Sequence, residues 1–326
     1  MTFFSTIRPQ KIRQTKVFVI LMTYGSPQTI SEVPEYLKNV YGGKDVPIET
    51  VKEFQRRYKL IGGSPLVKIT QEQAIALENE LNKQKTDHSF RVVAGMRFSH
   101  PFIEEVLIEQ AEDADAIIGI IMSPQYSPII MSGYVRELES AVEKLARKPL
   151  IFKIATDWHL QAFFLQAMAE KVQQALDTLS PEVKKQTQVL FSAHSMPKKI
   201  IENEPNYISD LKETAAEIAK RAGIPKKRWM FCYQSAGHTP EEWLKPDFAD
   251  IMPELKKKGE THVLIAPVQF LADHLEILYD VGIGAREQAE EQGIQFMRTE
   301  SLNTSPLFIK ALAEVVKNAI NTKENV

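Results

Sequence analysis

"KVFVILMTYGSPQTI", residues 16–30, carries six apolar residues, Val17 to Met22, with no polar interruption before a turn at Gly25 and Pro27. A strand with one wet face alternates apolar and polar residues. An unbroken β-branched run reads instead as a strand covered on both faces, as in a parallel sheet. The same signature recurs in "FRVVAGM" (90–96), "DAIIGIIM" (115–122), "LIFKIA" (150–155), "QVLFSA" (188–193), "WMFCYQ" (229–234) and "HVLIAPV" (262–268). Between these runs, "QEQAIALENELNKQ" (71–84), "VRELESAVEKLARK" (135–148), "AFFLQAMAEKVQQALDTL" (162–179) and "ISDLKETAAEIAKRA" (208–222) space apolar residues helically, with charge on the opposite side. Strand and helix in alternation predict an α/β architecture with parallel sheets. Seven or eight strands make one sheet or two. "RKPLIFKIATDWHLQAFF" (147–164) closes a first set of four, and the next set begins after a helix ending near "SPEVKK" (180–185). Two similar lobes with a cleft between them follow, with ligands expected at the carboxyl ends of the strands.

Hydrophobic residues at 44% and charged residues at 25% suit a globular chain of 326 residues, long enough for two cores. The net charge of -2, with lysines interleaved among glutamates as in "ELKKKGETH" (254–262), argues against a nucleic-acid partner. The one cysteine, Cys232, can neither pair internally nor hold an iron–sulfur cluster alone, and reads as a small buried residue in a reducing compartment. The amino-terminal "MTFFSTIRPQKIRQTK" lacks the apolar core of a signal peptide, and no run reaches the roughly 20 apolar residues of a membrane span. A cytoplasmic protein without a transmembrane segment is the expectation.

The expected strand ends hold residues that turn chemistry does not require. "TYGSP", "SPQYSP", "SAHSMP", "YQSAGHTPEEWLKPD" and "QFLADHLEILYD" add His, Tyr, Trp and Glu to the usual Gly, Pro and Ser. His194 stands between Ser192 and Ser195, where hydrogen bonding can fix its tautomer and leave one nitrogen for proton transfer near neutral pH. If "LADHLEILYD" (271–280) is helical, Leu271, Leu275 and Leu278 form its apolar side, with Asp273, Glu276 and Asp280 along another. That row is either a solvated acidic face or a line of carboxylates that attracts a hydrated divalent cation and accepts protons. "TYGSPQTI" has neither phosphate-loop spacing, and GxSxG, HExxH and CxxC are absent from the chain. His88 and His262 read as structural, and His100, His159 and His238 stay undecided.

"RYKLIGGSPL" (57–66), "FSAHSMP" (191–197), "YQSAGHTPEEWLKPD" (233–247), "APVQFLADHLEILYD" (266–280) and "SLNTSPLFIKALAEVV" (301–316) together resemble the ferrochelatase family, in order, over roughly residues 16–318. The resemblance implies two Rossmann-like lobes, 1–155 and 156–305, with helix 306–322 packed back on the first and a porphyrin cleft between them. It implies insertion of ferrous iron, as substrate, into a free porphyrin in haem synthesis, with no permanently bound cofactor. His194 and Glu276 correspond to the central pair of the family, with Asp280 continuing a metal-side carboxylate relay. The family's next acidic position is Gly284 here, so the relay is shorter or Glu287 completes it. Ser64, Arg97 and Tyr134 fall on segments that meet the ring or its propionates. Tyr24 matches the tyrosine of members that act on coproporphyrin III, common in Gram-positive bacteria, although protoporphyrin IX stays open. Tyr41, Gly42 and Gly43 replace a basic pair usual in those members, and "NEPNY" (203–207) replaces Gly-Asp-Pro-Tyr. A monomer that meets a haem-pathway partner transiently is expected. The competing readings are a cobalt or nickel chelatase of another tetrapyrrole, and a haem or porphyrin carrier that performs no chemistry.

Overall fold

β1 (Thr15–Thr23) shows why its apolar run is unbroken. Val17, Val19 and Leu21 enter one core while Phe18, Ile20 and Met22 enter another, each with 2 % or less of its surface exposed. The computed structural model describes residues 14–84, 86–202, 204–237 and 240–321, so the amino-terminal stretch 1–13 and His238 lie outside the described residues.

The first lobe carries β1, helices α1 (Val33–Val40), α2 (Ile48–Leu60) and α3 (Leu66–Leu81), β2 (His88–Met96), α4 (Ile103–Gln110), β3 (Ala116–Ile121), α5 (Pro128–Lys144) and β4 (Ile151–Ala155). The chain continues through α6 (Ala162–Leu176), α7 (Pro181–Gln186), β5 (Gln188–His194), α8 (Lys198–Ile201), α9 (Pro205–Arg221), β6 (Trp229–Gln234), α10 (Phe248–Lys257) and β7 (His262–Pro267). A π-helix (Glu276–Ala285), α11 (Arg286–Glu291), β8 (Gln295–Arg298) and α12 (Pro306–Asn321) complete it. None of the helices described is long and apolar enough to cross a membrane.

The strands form two four-stranded parallel sheets, ordered β2-β1-β3-β4 and β6-β5-β7-β8. Each of the seven apolar runs is a strand. The eighth, β8, is only four residues long, half-buried and set after a charged helix, so it carries little apolar signal. His88 and His262 are the first residues of β2 and β7. In both sheets the strand order reverses beside the first strand of the lobe, between β1 and β3 and between β5 and β7. Ligand crevices in such sheets open at that reversal, off the carboxyl ends.

A continuous core joins the lobes. Val189, Phe191 and Ala193 of β5 share it with Val19 and Leu21 of β1 through α6, α9 and α12. Trp158 sits in this core with its ring 5.4 Å from Phe164 and 6.4 Å from Phe308. The outer face of the first sheet packs under α4 and α5, and that of the second under α10 and the π-helix. Gly119 of β3 marks how closely α5 approaches, since a Cβ there would lie 2.5 Å from Leu138 Cδ2 and 3.0 Å from Met22 Cε. Gly119→Ala is therefore expected to destabilise the fold by about 1–3 kcal/mol through overpacking, read as a lower denaturation midpoint in urea.

Candidate active site

His194 is the last residue of β5, and Glu276 opens the π-helix that follows β7, so both sit at the strand-order reversal of the second sheet. His194 Nε2 lies 3.5 Å from Glu276 Oε1, and the two side chains keep 30 % and 33 % exposure, enough to meet a ligand. The His194 ring is oriented by the backbone: Nδ1 pairs with the Ser195 carbonyl, which leaves Nε2 for the carboxylate. The serine hydroxyls expected to set the tautomer do not touch it. Ser192 Oγ donates to Gln234 Oε1 at 2.7 Å, and Ser195 Oγ donates to the Leu244 carbonyl at 2.9 Å. Both serines are fully buried beside the strand, where a hydroxyl must find a local acceptor.

A polar chain holds the histidine from behind. His194 N donates to Gln269 Oε1 at 3.0 Å, and Gln269 Nε2 donates to Tyr207 Oη at 2.6 Å. Tyr207 is the last residue of "NEPNY", so that segment positions His194. Glu204 of the same segment reaches the other lobe, accepting from Ser127 Oγ at 2.5 Å and Ile129 N at 2.9 Å at the amino end of α5.

The expected helix over 271–280 is corrected in one respect. Regular helix starts only at Leu275, and Asp273 leaves the acidic row. Its carboxylate accepts from Ser301 Oγ at 2.9 Å and Asn303 Nδ2 at 3.0 Å, with Arg298 Nη1 at 3.6 Å. These bonds tie the segment before the helix to the loop after β8. Glu276 and Asp280 remain four residues apart on the π-helix, a wide-turned form that recurs at functional sites. Glu287 lies exposed on α11, beyond Gly284.

Sequence reading missed His274. Its Nε2 stands 3.9 Å from Glu276 Oε2 and its Nδ1 pairs with the Ala272 carbonyl at 2.9 Å, so two imidazoles flank one carboxylate. Its place in "ADHLE", directly after a strand end, was the available signal. Glu276 Oε2 is buried and has no hydrogen-bond partner among the described residues. A carboxylate oxygen in that state is an acceptor suited to a cation or a proton.

The charges follow from this geometry. Burial alone lowers an imidazole, but the Glu276 carboxylate, its hydrogen bond and the Ser195 carbonyl outweigh it and raise His194 to about 9. Burial pushes Glu276 upward, yet His194 and then His274 reverse this and hold the carboxyl well below the usual range. At neutral pH the pair is imidazolium and carboxylate. Asp280 is raised, by burial first and by Glu276 next, against Ser235 and the Arg57 guanidinium. Arg57 Nη1 is 3.7 Å from Asp280 Oδ1, and Arg56 Nη2 donates to Tyr279 Oη at 2.5 Å, so α2 of the first lobe clamps the π-helix.

The facing wall comes from the first lobe. Tyr24 follows β1, is 44 % exposed and stacks obliquely on Phe98 at 4.5 Å. Desolvation first, then Glu276, push its phenol up to about 12, with Arg97 pulling the other way, so it is a neutral phenol. Arg97 donates from Nε to Glu137 Oε1 at 2.9 Å and lies over the rings of Phe98, at 4.6 Å, and Tyr134, at 5.4 Å. Gly133 makes room for it, since a Cβ there would fall 2.0 Å from Arg97 Cζ. Tyr134 itself is buried in the first lobe's outer core and reaches the site through the guanidinium resting on its ring. Ser64 lies in the turn before α3, accepting from Leu66 N at 3.4 Å, and no contact joins it to the pair among the described residues. Gly42 and Gly43 have φ of +65° and +82°, a left-handed turn closing α1 that side chains with a Cβ adopt reluctantly. In this chain that turn stands in place of the basic pair. The other histidines separate: His100 Nδ1 pairs on the surface with Glu105 at 2.9 Å, whereas His159 is buried among carboxylates.

Comparisons with known proteins cover nearly the whole chain. The family described as Ferrochelatase matches residues 16–320. The chain is 39% identical over 302 residues to the coproporphyrin III ferrochelatase of Geobacillus kaustophilus (strain HTA426), covering 91% of this chain and 94% of that one. It is 36% identical over 303 residues to a ferrochelatase of Herpetosiphon aurantiacus, covering 92% and 98%. Among solved structures it shares its fold with CbiX, described as the terminal enzyme of sirohaem biosynthesis in denitrifying bacteria, at TM-score 0.55 and 14% identity over 93% of this chain and 99% of that one. SirB from Bacillus subtilis matches at TM-score 0.55 and 12% identity, covering 94% and 96%.

Proposed function

The chain belongs to the ferrochelatase family, the metal chelatases that place iron in a free porphyrin, and from that premise we propose that it acts on coproporphyrin III with His194 and Glu276 at the ring centre. The observation that carries this reading is the 3.5 Å approach of His194 Nε2 to Glu276 Oε1, brought from two separate strand ends. Metallation exchanges Fe(II) for two pyrrole protons, so the ring centre needs both a cation ligand set and a base. His194, Glu276 and His274 offer nitrogen and oxygen donors of the kind first-row divalent metals accept.

Because His194 rests as imidazolium, it takes a pyrrole proton only after yielding its own. An approaching dication favours that loss, since both charges would share a poorly solvated space. Protons then pass from the pair to Asp280, whose raised pKa makes it the more willing carboxylate acceptor. Tyr24, a neutral phenol on the opposite lobe that feels the Glu276 charge, would offer an oxygen from the other side. A pH dependence follows: with His194 at about 9, a cation binding the pair competes with one proton, so its affinity should rise about tenfold per pH unit up to that value. Zinc titrations of the porphyrin-free chain at pH 6.5, 7.5 and 8.5 measure this; a flat profile refutes the competition.

The carboxylates of coproporphyrin need donors around the rim. Arg97 spends Nε on Glu137 and offers both Nη atoms for bidentate pairing. Arg97→Leu is expected to raise KM for coproporphyrin III at least about tenfold with little change in kcat, the cost of roughly one charged hydrogen bond pair. Steady-state assays check the split.

The testing experiment is anaerobic incubation with Fe(II) and either coproporphyrin III or protoporphyrin IX, with Co(II) and Zn(II) in parallel, following loss of the free-base spectrum. Faster metallation of coproporphyrin III by Fe(II) supports the proposal, and preference for protoporphyrin IX overturns the substrate. Action as a monomer is part of the proposal. A cytoplasmic setting, where Fe(II) persists, belongs to the same proposal and is supported by the free, buried thiol of Cys232.

A further inference from the structure

Away from the His194 pair, the loop after β4 and the helix α9 meet at a second cluster. His159 is nine-tenths buried. Its Nδ1 pairs with Asp157 Oδ1 at 2.7 Å, while Nε2 points between Glu213 Oε2 at 3.5 Å and Asp210 Oδ1 at 3.8 Å. The ligand atoms of His159, Asp210 and Glu213 all lie within 4.8 Å of one another. Asp210 and Glu213 stand three residues apart on α9, so a helix presents both to the same point.

The distances allow two uses of this histidine. As a hydrogen-bond partner, Nε2 meets Glu213 Oε2 only at 3.5 Å, the long end of such bonds, and Asp210 stands farther off. A tetrahedral cation with bonds of about 2.1 Å separates its ligand atoms by about 3.4 Å, close to both spacings seen. A metal-bound imidazole also characteristically donates its other N–H to a carboxylate, which sets ring angle and tautomer. Asp157 does this. Asp157, Asp210 and Glu213 all lie within ion-pair reach of this one imidazole. Solvent reaches the point through Glu213, whose side chain is 53 % exposed.

We propose that His159, Asp210 and Glu213 form a second binding site for a divalent first-row cation, with Asp157 as the positioning residue that orients the imidazole. One nitrogen and two carboxylate oxygens leave at least one position for water and suit zinc, manganese or ferrous ions over calcium. The site joins the loop leaving the first sheet to α9, whose Tyr207 supports His194 through Gln269. Occupancy would thus brace the helix behind the reactive histidine. The inference does not rest on the chelatase reading, since it concerns binding alone.

Calorimetric titration of the porphyrin-free full chain with Zn(II) tests it. The wild type should bind two equivalents. Asp210→Asn/Glu213→Gln should bind one, and Glu276→Gln should keep the equivalent that the double variant loses. Asp157→Asn should weaken that same equivalent by about 10- to 100-fold, with no change in the thermal midpoint of the zinc-free chain. Equal binding by wild type and double variant overturns the proposal, as does a wild type with a single equivalent that Glu276→Gln abolishes. Should the double variant fail to fold, Asp157→Asn decides alone: weakened binding supports the site and unchanged binding refutes it.

Discussion

His194→Ala slows iron insertion into coproporphyrin III by about 10²–10⁴-fold, the range spanned by removal of a positioned proton-transfer group. The loss should fall on kcat, because the imidazole meets the ring centre and not its carboxylate rim. Porphyrin binding, followed by fluorescence quenching, should change by less than a factor of three. The variant should fold, since the side chain is a third exposed and its backbone N–H still reaches Gln269. A His194→Ala chain that metallates at the wild-type rate would remove the imidazole from the mechanism.

The second large effect is expected at Glu276. Glu276→Gln keeps the shape but deletes the charge that holds the His194 proton. The strongest influence that raises His194 is then gone, and its pKa falls from about 9 toward the ordinary imidazole range, with the Ser195 carbonyl and Asp280 still acting upward. Two consequences separate an enzyme from a carrier. Metallation should fall by about 10²-fold or more at neutral pH, while porphyrin affinity stays within a few-fold. The rise of cation affinity with pH should also level off at a lower pH than in the wild type, measured by the same zinc titrations. A variant that loses porphyrin binding in step with activity would mean that Glu276 holds the ring and takes no part in the chemistry.

The parallel sheets were legible because both faces of a central strand are covered, which removes the polar residues from Val17–Met22, Ile117–Ile121 and Leu264–Ala266. β8 was not, because an edge strand of four residues with one partner needs little apolar surface. His194 stood out by chemistry and position, but its link to Glu276 came from resemblance to a family. Nothing local ties residues 82 positions apart. Asp273 was misplaced for a related reason. Its partners, Ser301 and Asn303, lie across two helices and a strand, and their bonds stop the helix from extending back through it.

Periodicity and composition, which report local burial, were enough to determine an α/β chain of parallel strands and where its strands end, while the division into two sheets is seen in the fold. Charge was beyond their reach. That His194 rests protonated, that the two serines beside it are spent on other acceptors, and that His274 joins the pair depend on distances between separate strand ends and loops of the second lobe. Electrostatic energy in a poorly solvated space changes steeply with such distances, and only the folded chain sets them.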